Sequence, residues 1–90
     1  MIELTESQKT VRNMEVARLA REIIHNFSDS FITQDLVFCT DFDSVFKTTS
    51  YEEREKVNEI LLSYEGKQFS NVAKQMAEDI ADVLFDFRLM

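Results

Sequence analysis

The sequence predicts a mainly α fold: a small helical bundle of three long helices, near residues 5–27, 50–65 and 70–88, in one acidic domain over residues 1–90. Three observations carry this expectation. The chain has no Pro and one Gly, so few positions break a helix or make the frequent turns of a β-sandwich. Its apolar residues recur at steps of three and four. Residues that favour the N-cap, Thr5, Ser50 and Ser70, stand where the periodic runs begin.

The first helix is read from Thr5, with Glu6 in the first turn where an acid suits the helix dipole. Val16, Ala20, Ile23 and Phe27 step by four, three and four and form one face, which Ala17 and Ile24 are expected to widen. The stretch NFSDS, Asn26 to Ser30, ends it. His25, the single histidine, falls well away from the apolar stripe and reads as a surface residue.

Residues 31–48 read two ways. As short helices, Thr33 caps the segment, Asp35 sits in its first turn, and Phe38, Phe42 and Val45 share a face. As a short β hairpin, giving an α+β fold, Phe38, Thr40, Phe42 and Ser44 alternate with Cys39, Asp41, Asp43 and Val45. Both readings turn Asp41 and Asp43 to solvent around a buried Phe42.

The stretch from Ser50 to Gly66 is the most sharply written. Ser50 and Glu53 have the spacing of a capping box. Val57, Ile60, Leu61 and Tyr64 form a dry stripe, Glu52, Glu55 and Glu59 cluster on the opposite face, and Gly66 stands where a left-handed cap is needed. In the last helix, Ala73, Met76, Ile80, Val83 and Phe87 make a heptad seam. Asp79, Asp82 and Asp86 align on its far side beside Glu78. The apolar end, Phe85, Phe87, Leu89 and Met90, is expected to dock on the core or on a second copy.

The formal charge of −7 is unevenly placed. Residues 1–27 hold four bases and four acids. Residues 28–66 hold three bases and nine acids, for −6, and residues 67–90 hold three bases and four acids, for −1. Such a field disfavours direct binding to nucleic acid or an anionic membrane and favours a basic partner. No apolar run is long enough to span a bilayer and no signal-peptide core opens the chain, so a cytoplasmic location is expected. Cys39 is the single cysteine, which rules out an internal disulfide.

Nothing in the chain spells a reaction, and no enzyme activity or cofactor is expected. Asp41, Asp43 and Ser44 open like a calcium loop, but the sixth position, where such a loop needs Gly, is Phe46. Cys39 has no local His, and one Gly cannot make a phosphate loop. A helix-turn-helix reading fails on charge. Its recognition helix, 51–64, would carry four glutamates against Arg54 and Lys56.

What remains is a display of carboxylates: Asp41, Asp43, Glu52, Glu55, Glu59, Glu78, Asp79, Asp82 and Asp86. On the runs DFD (Asp41–Asp43), YEERE (Tyr51–Glu55) and AEDIAD (Ala77–Asp82), the chain resembles phage-encoded DNA-mimic inhibitors such as anti-restriction proteins, in size, acidity and lack of a catalytic motif. The resemblance implies a basic DNA-binding protein of the host as partner and the host cytoplasm as location. It also implies a homodimer, joined through the neutral first helix or the apolar C-terminus, that displays a longer acidic track. The alternative is a regulatory binder of the anti-sigma kind that grips its partner through a Phe-rich surface.

Overall fold

The computed structural model describes residues 4–89, and the side chains of residues 4–85. Within them are five helices: α1 (Glu6–Phe27), α2 (Gln34–Cys39), α3 (Phe42–Phe46), α4 (Tyr51–Ser63) and α5 (Phe69–Leu89). The mainly α expectation holds. The segment left open between helix and hairpin forms the two short helices α2 and α3. Its one strand-like feature among the described residues is an isolated bridge between Phe31 and Gln68.

Four of the helices start where a side chain satisfies their first amides. Thr5 accepts from the Gln8 N–H, and the Gln8 side chain accepts in turn from the Thr5 N–H, a complete capping box. Thr33 accepts from the Leu36 N–H and Asp41 from the Ser44 N–H. Ser50 accepts from the Glu53 N–H, as expected. The Glu53 carboxylate, however, reaches past Ser50 and accepts from the N–H (2.7 Å) and hydroxyl (3.0 Å) of Thr49.

Ser70 is not a cap. Helix α5 begins at Phe69, and the first-turn amides are satisfied by backbone instead: Phe69 N–H donates to the Ser30 carbonyl and Ser70 N–H to the Ser28 carbonyl. Beside them Ile32 N–H donates to Lys67 O and Gly66 N–H to Ile32 O, both at 2.8 Å. The link after α1 and the link before α5 are thus zipped together, which lays α5 along α1. Gly66 is not the cap of α4, which Tyr64 closes, but two residues further on it permits this turn with φ +89°.

Helices α1 and α5 pack along each other, α4 lies against α5, α2 against α4 and α3 against α1. The molecule measures 36 × 24 × 20 Å. Its long axis matches the roughly 33 Å rise of the 22-residue α1. The core takes Val16, Leu19 and Ile23 from α1, Val57 and Leu61 from α4, and Phe69, Ala73, Met76, Ala77, Ile80, Ala81 and Leu84 from α5. Phe42 and Phe46 of α3 are buried completely, and Phe27 stacks on Phe69 with ring centres 4.7 Å apart.

The expected faces need three corrections. Ala17 and Ile24 do not widen the inner face of α1 but point outward, because Leu19 occupies the inner side of that helix. Val83 is half-buried and Leu84 takes its place in the core: a straight helix repeats every 3.6 residues and drifts off a strict heptad. Phe38 is exposed, and Phe46 rather than Phe38 joins Phe42 inside. Phe85 is half-buried. Met90 lies outside the described residues, as do the side chains of Phe87 and Leu89 in the expected seam and apolar end.

Candidate acidic partner-binding surface

The three glutamates of α4 lie as their spacing requires. Val57 and Leu61 drive one side of the helix into the core, so Glu52, Glu55 and Glu59 point to solvent on the other. Glu52 and Glu55 have no hydrogen bond or ion pair among the described residues. Glu59 lies 3.6 Å from Lys56, with both side chains more than half exposed. Such a contact is worth little. One-turn steps separate the three carboxylates by roughly 5–6 Å along the helix.

The acids of α5 are placed differently. Asp82 is held by Arg12 of α1 at 2.7 Å, and the same guanidinium reaches the Glu78 carbonyl. That hydrogen bond to Asp82 raises the Arg12 pKa further. Asp79 is exposed but accepts a 2.7 Å hydrogen bond from the Tyr64 hydroxyl at the end of α4. Desolvation, with the Asp79 hydrogen bond added to it, pushes the Tyr64 pKa up to about 12. Glu78 is half-buried, and the Asp86 side chain lies outside the described residues. The expected stripe on α5 is therefore part surface and part clamp, with Asp82 fixing α1 and Asp79 fixing α4.

Asp41 and Asp43 flank the buried Phe42 and are both exposed. Asp41 caps α3, and the Ser44 hydroxyl and N–H hold its carboxyl below the usual range. Asp43 accepts from the Thr48 hydroxyl and lies 3.5 Å from Arg54 Nη1. Arg54 also donates to the Thr40 carbonyl at 2.9 Å and lies over the Phe42 ring. It thereby ties α4 to the end of α2 and to α3. The arginines that hold Asp82 and Asp43 lie 70 and 11 positions away in sequence, which is why helical spacing alone does not reveal those pairs.

Among the described residues no three His, Cys, Asp or Glu side chains converge closely enough to hold a metal ion. The carboxylates are spread out rather than gathered. His25 and Cys39 are exposed. No described helix is long and apolar enough to cross a membrane. The Phe residues divide: Phe42, Phe46 and Phe69 are fully buried and Phe27 packs on them, whereas Phe31 and Phe38 are more than half exposed. Comparison of the chain with protein-family models, with curated proteins and with solved structures gives no match.

Proposed function

We propose that this protein is a small acidic inhibitor that occupies the nucleic-acid-binding surface of a basic protein, with the outer face of α4 standing in for a run of backbone phosphates. The observation that carries the reading is the uncommitted display of Glu52 and Glu55, continued by Glu59, on a face opposite the core. Carboxylates projected one turn apart from a 13-residue helix offer cationic side chains an anionic edge. The partner class is a DNA-binding protein, with restriction enzymes of a phage host as the leading example, and the place of action is the host cytoplasm. Because Asp82 and Asp43 are engaged by Arg12 and Arg54, the contact surface narrows from the full acidic set to α4. A homodimer would carry −14, twice the −7 of one chain, and lengthen the anionic edge.

A second reading keeps one observation of its own. Phe31 and Phe38 are 57% and 58% exposed, and a regulatory binder could grip a partner through them. The burial of Phe42, Phe46 and Phe69 removes most of the Phe-rich surface that reading needs.

The test is capture of partners from host lysate at low salt by the wild-type chain and by the Glu52→Lys/Glu55→Lys/Glu59→Lys variant. Mimicry predicts a DNA-binding protein that duplex DNA displaces. Release is expected near 0.5 M salt, where the Debye length falls to about 4 Å. The triple reversal should weaken binding about 100-fold or more, as several cation contacts become repulsions. A partner that ignores DNA, survives high salt and is lost with Phe31→Ser/Phe38→Ser would sink the mimicry reading.

A further inference from the structure

Helix α1 carries an apolar face that the core does not use. Its inner side supplies Val16, Leu19 and Ile23. On the outer side Met14, Ala17, Arg21 and Ile24 follow at steps of three, four and three, the rhythm of a helix–helix seam. Met14 is 68% exposed and Ile24 47%, and Val11 flanks them at 54%. Single exposed apolar residues are ordinary, but Met14, Ala17 and Ile24 lie on one side of the helix over three turns, with Val11 at its edge. The stripe runs into a groove between α1 and α5, formed by two hollows that share Ala20, Lys74 and Glu78. Ala17 and Ala20 keep its wall low, so another helix can approach closely.

We infer that this face of α1 is where a second copy of the chain docks. Charge selects that occupant. Residues 1–27 are neutral, whereas residues 28–90 hold six bases and thirteen acids, for −7. Helices α4 and α5 each hold two bases and four acids, so copies that meet through either bring negative charge together, and α1 avoids this. A two-fold contact sets a patch against itself, so the patch must complement its own charges. Here Arg21 has no ion-pair partner among the described residues. Its neighbour Glu22 accepts from the Asn26 amide and shares the field of Arg18 with Glu15, to which Arg18 is hydrogen-bonded. Both signs are thus available for pairing between copies. Because α4 packs on α5 and α2, its acidic face stays open in such a pair.

The inference stands apart from the mimicry reading, and it is tested on the purified full chain without any partner. Sedimentation equilibrium from micromolar to near-millimolar concentration should show a monomer–dimer equilibrium. The equilibrium should persist at 0.5 M salt, where charge-driven association is lost at a Debye length of about 4 Å. Met14→Lys/Ile24→Lys should raise the dimer dissociation constant about 100-fold or more, since each change acts twice across the interface. Helix content by circular dichroism should stay unchanged, because both residues are exposed. Ala17→Cys, made with Cys39→Ser, should give a disulfide-linked dimer under mild oxidation, a readout that does not depend on disrupting the seam. A monomer throughout the concentration range overturns the inference. So does a dimer that the double lysine variant leaves intact and that Ala17→Cys fails to trap.

Discussion

Among the described residues Glu53 is the one charged side chain that is buried, 2% exposed, on the helix whose other glutamates face water. Its carboxylate holds the Thr49 N–H and hydroxyl, closing the entry to α4. Truncation removes the charged acceptor from both donors, so Glu53→Ala should lower stability by about 2 kcal/mol, the scale of hydrogen bonds to a charged group. Glu53→Gln keeps an acceptor oxygen in place and should lose much less. Urea denaturation of the two variants separates the hydrogen bond from mere side-chain loss, and equal losses would contradict this account. Tyr64 gives a second test at this scale. Its pKa rises from the ordinary 10 to about 12, chiefly by desolvation and then by the Asp79 hydrogen bond. Above pH 10 the unfolded chain releases this proton while the folded chain keeps it. The stabilisation is therefore complete below pH 10 and is lost as pH climbs toward 12. The alkaline loss of stability should be shallower in Tyr64→Phe than in the wild type, and identical slopes would show that the folded state does not hold that proton.

At the scale of elements, the turn before α5 fixes how the long helices meet. Gly66 adopts φ +89°, and nothing lies within 4 Å of where a Cβ would sit. Gly66→Ala should thus cost backbone strain alone, about 1–2 kcal/mol. A neutral effect in thermal melts would mean the turn relaxes, and the Gly66 N–H bond to Ile32 O with it. How much of this level is legible in the sequence follows from the range of the forces. Thr5 and Ser50 act within a few residues, and the 3.6-residue periodicity is local, so α1 and the start of α4 can be read directly, whereas Gly66 bonds to Ile32 O and is not the cap of α4. The start of α5 cannot, because its amides bond to Ser28 and Ser30, some 40 positions away. Ser70 looks like the cap because nothing local competes with it. Residues 31–48 are ambiguous for a related reason. Two helices of six and five residues are too short to show periodicity, and burial of Phe42 and Phe46 in the tertiary core decides them. The candidate surface divides the same way. The outward face of α4 follows from its own spacing, whereas the clamps Arg12–Asp82 and Tyr64–Asp79 need the packed fold.

For the whole molecule, charge and stability pull against each other. Ten bases face seventeen acids, so even complete pairing would leave seven carboxylates without a cation. The observed pairs do not offset this. Lys9–Glu6 and Lys56–Glu59 are largely exposed, one partner of each of Arg12–Asp82 and Arg54–Asp43 is well exposed, and the more sheltered Arg18–Glu15 is a one-turn contact within α1, so each contributes little. The net electrostatic effect on the fold should be repulsive. Added salt should then raise the melting temperature across the range where the Debye length shrinks from about 30 to 8 Å. The Glu52→Lys/Glu55→Lys/Glu59→Lys variant sharpens the point. Each reversal adds two charges, so the chain moves by six, from −7 to −1. The altered side chains have no tertiary partner to lose, Glu59 touching only the neighbouring turn at Lys56. The variant should therefore fold at least as stably as the wild type, and its melting temperature should depend less on salt. That outcome, joined to loss of partner binding, would place the acidic face of α4 among features kept for recognition at a cost to the fold. A variant that melts lower and binds as before would show the reverse: that the carboxylates serve the helix itself, through the dipole at its first turn, and that recognition lies elsewhere on the surface.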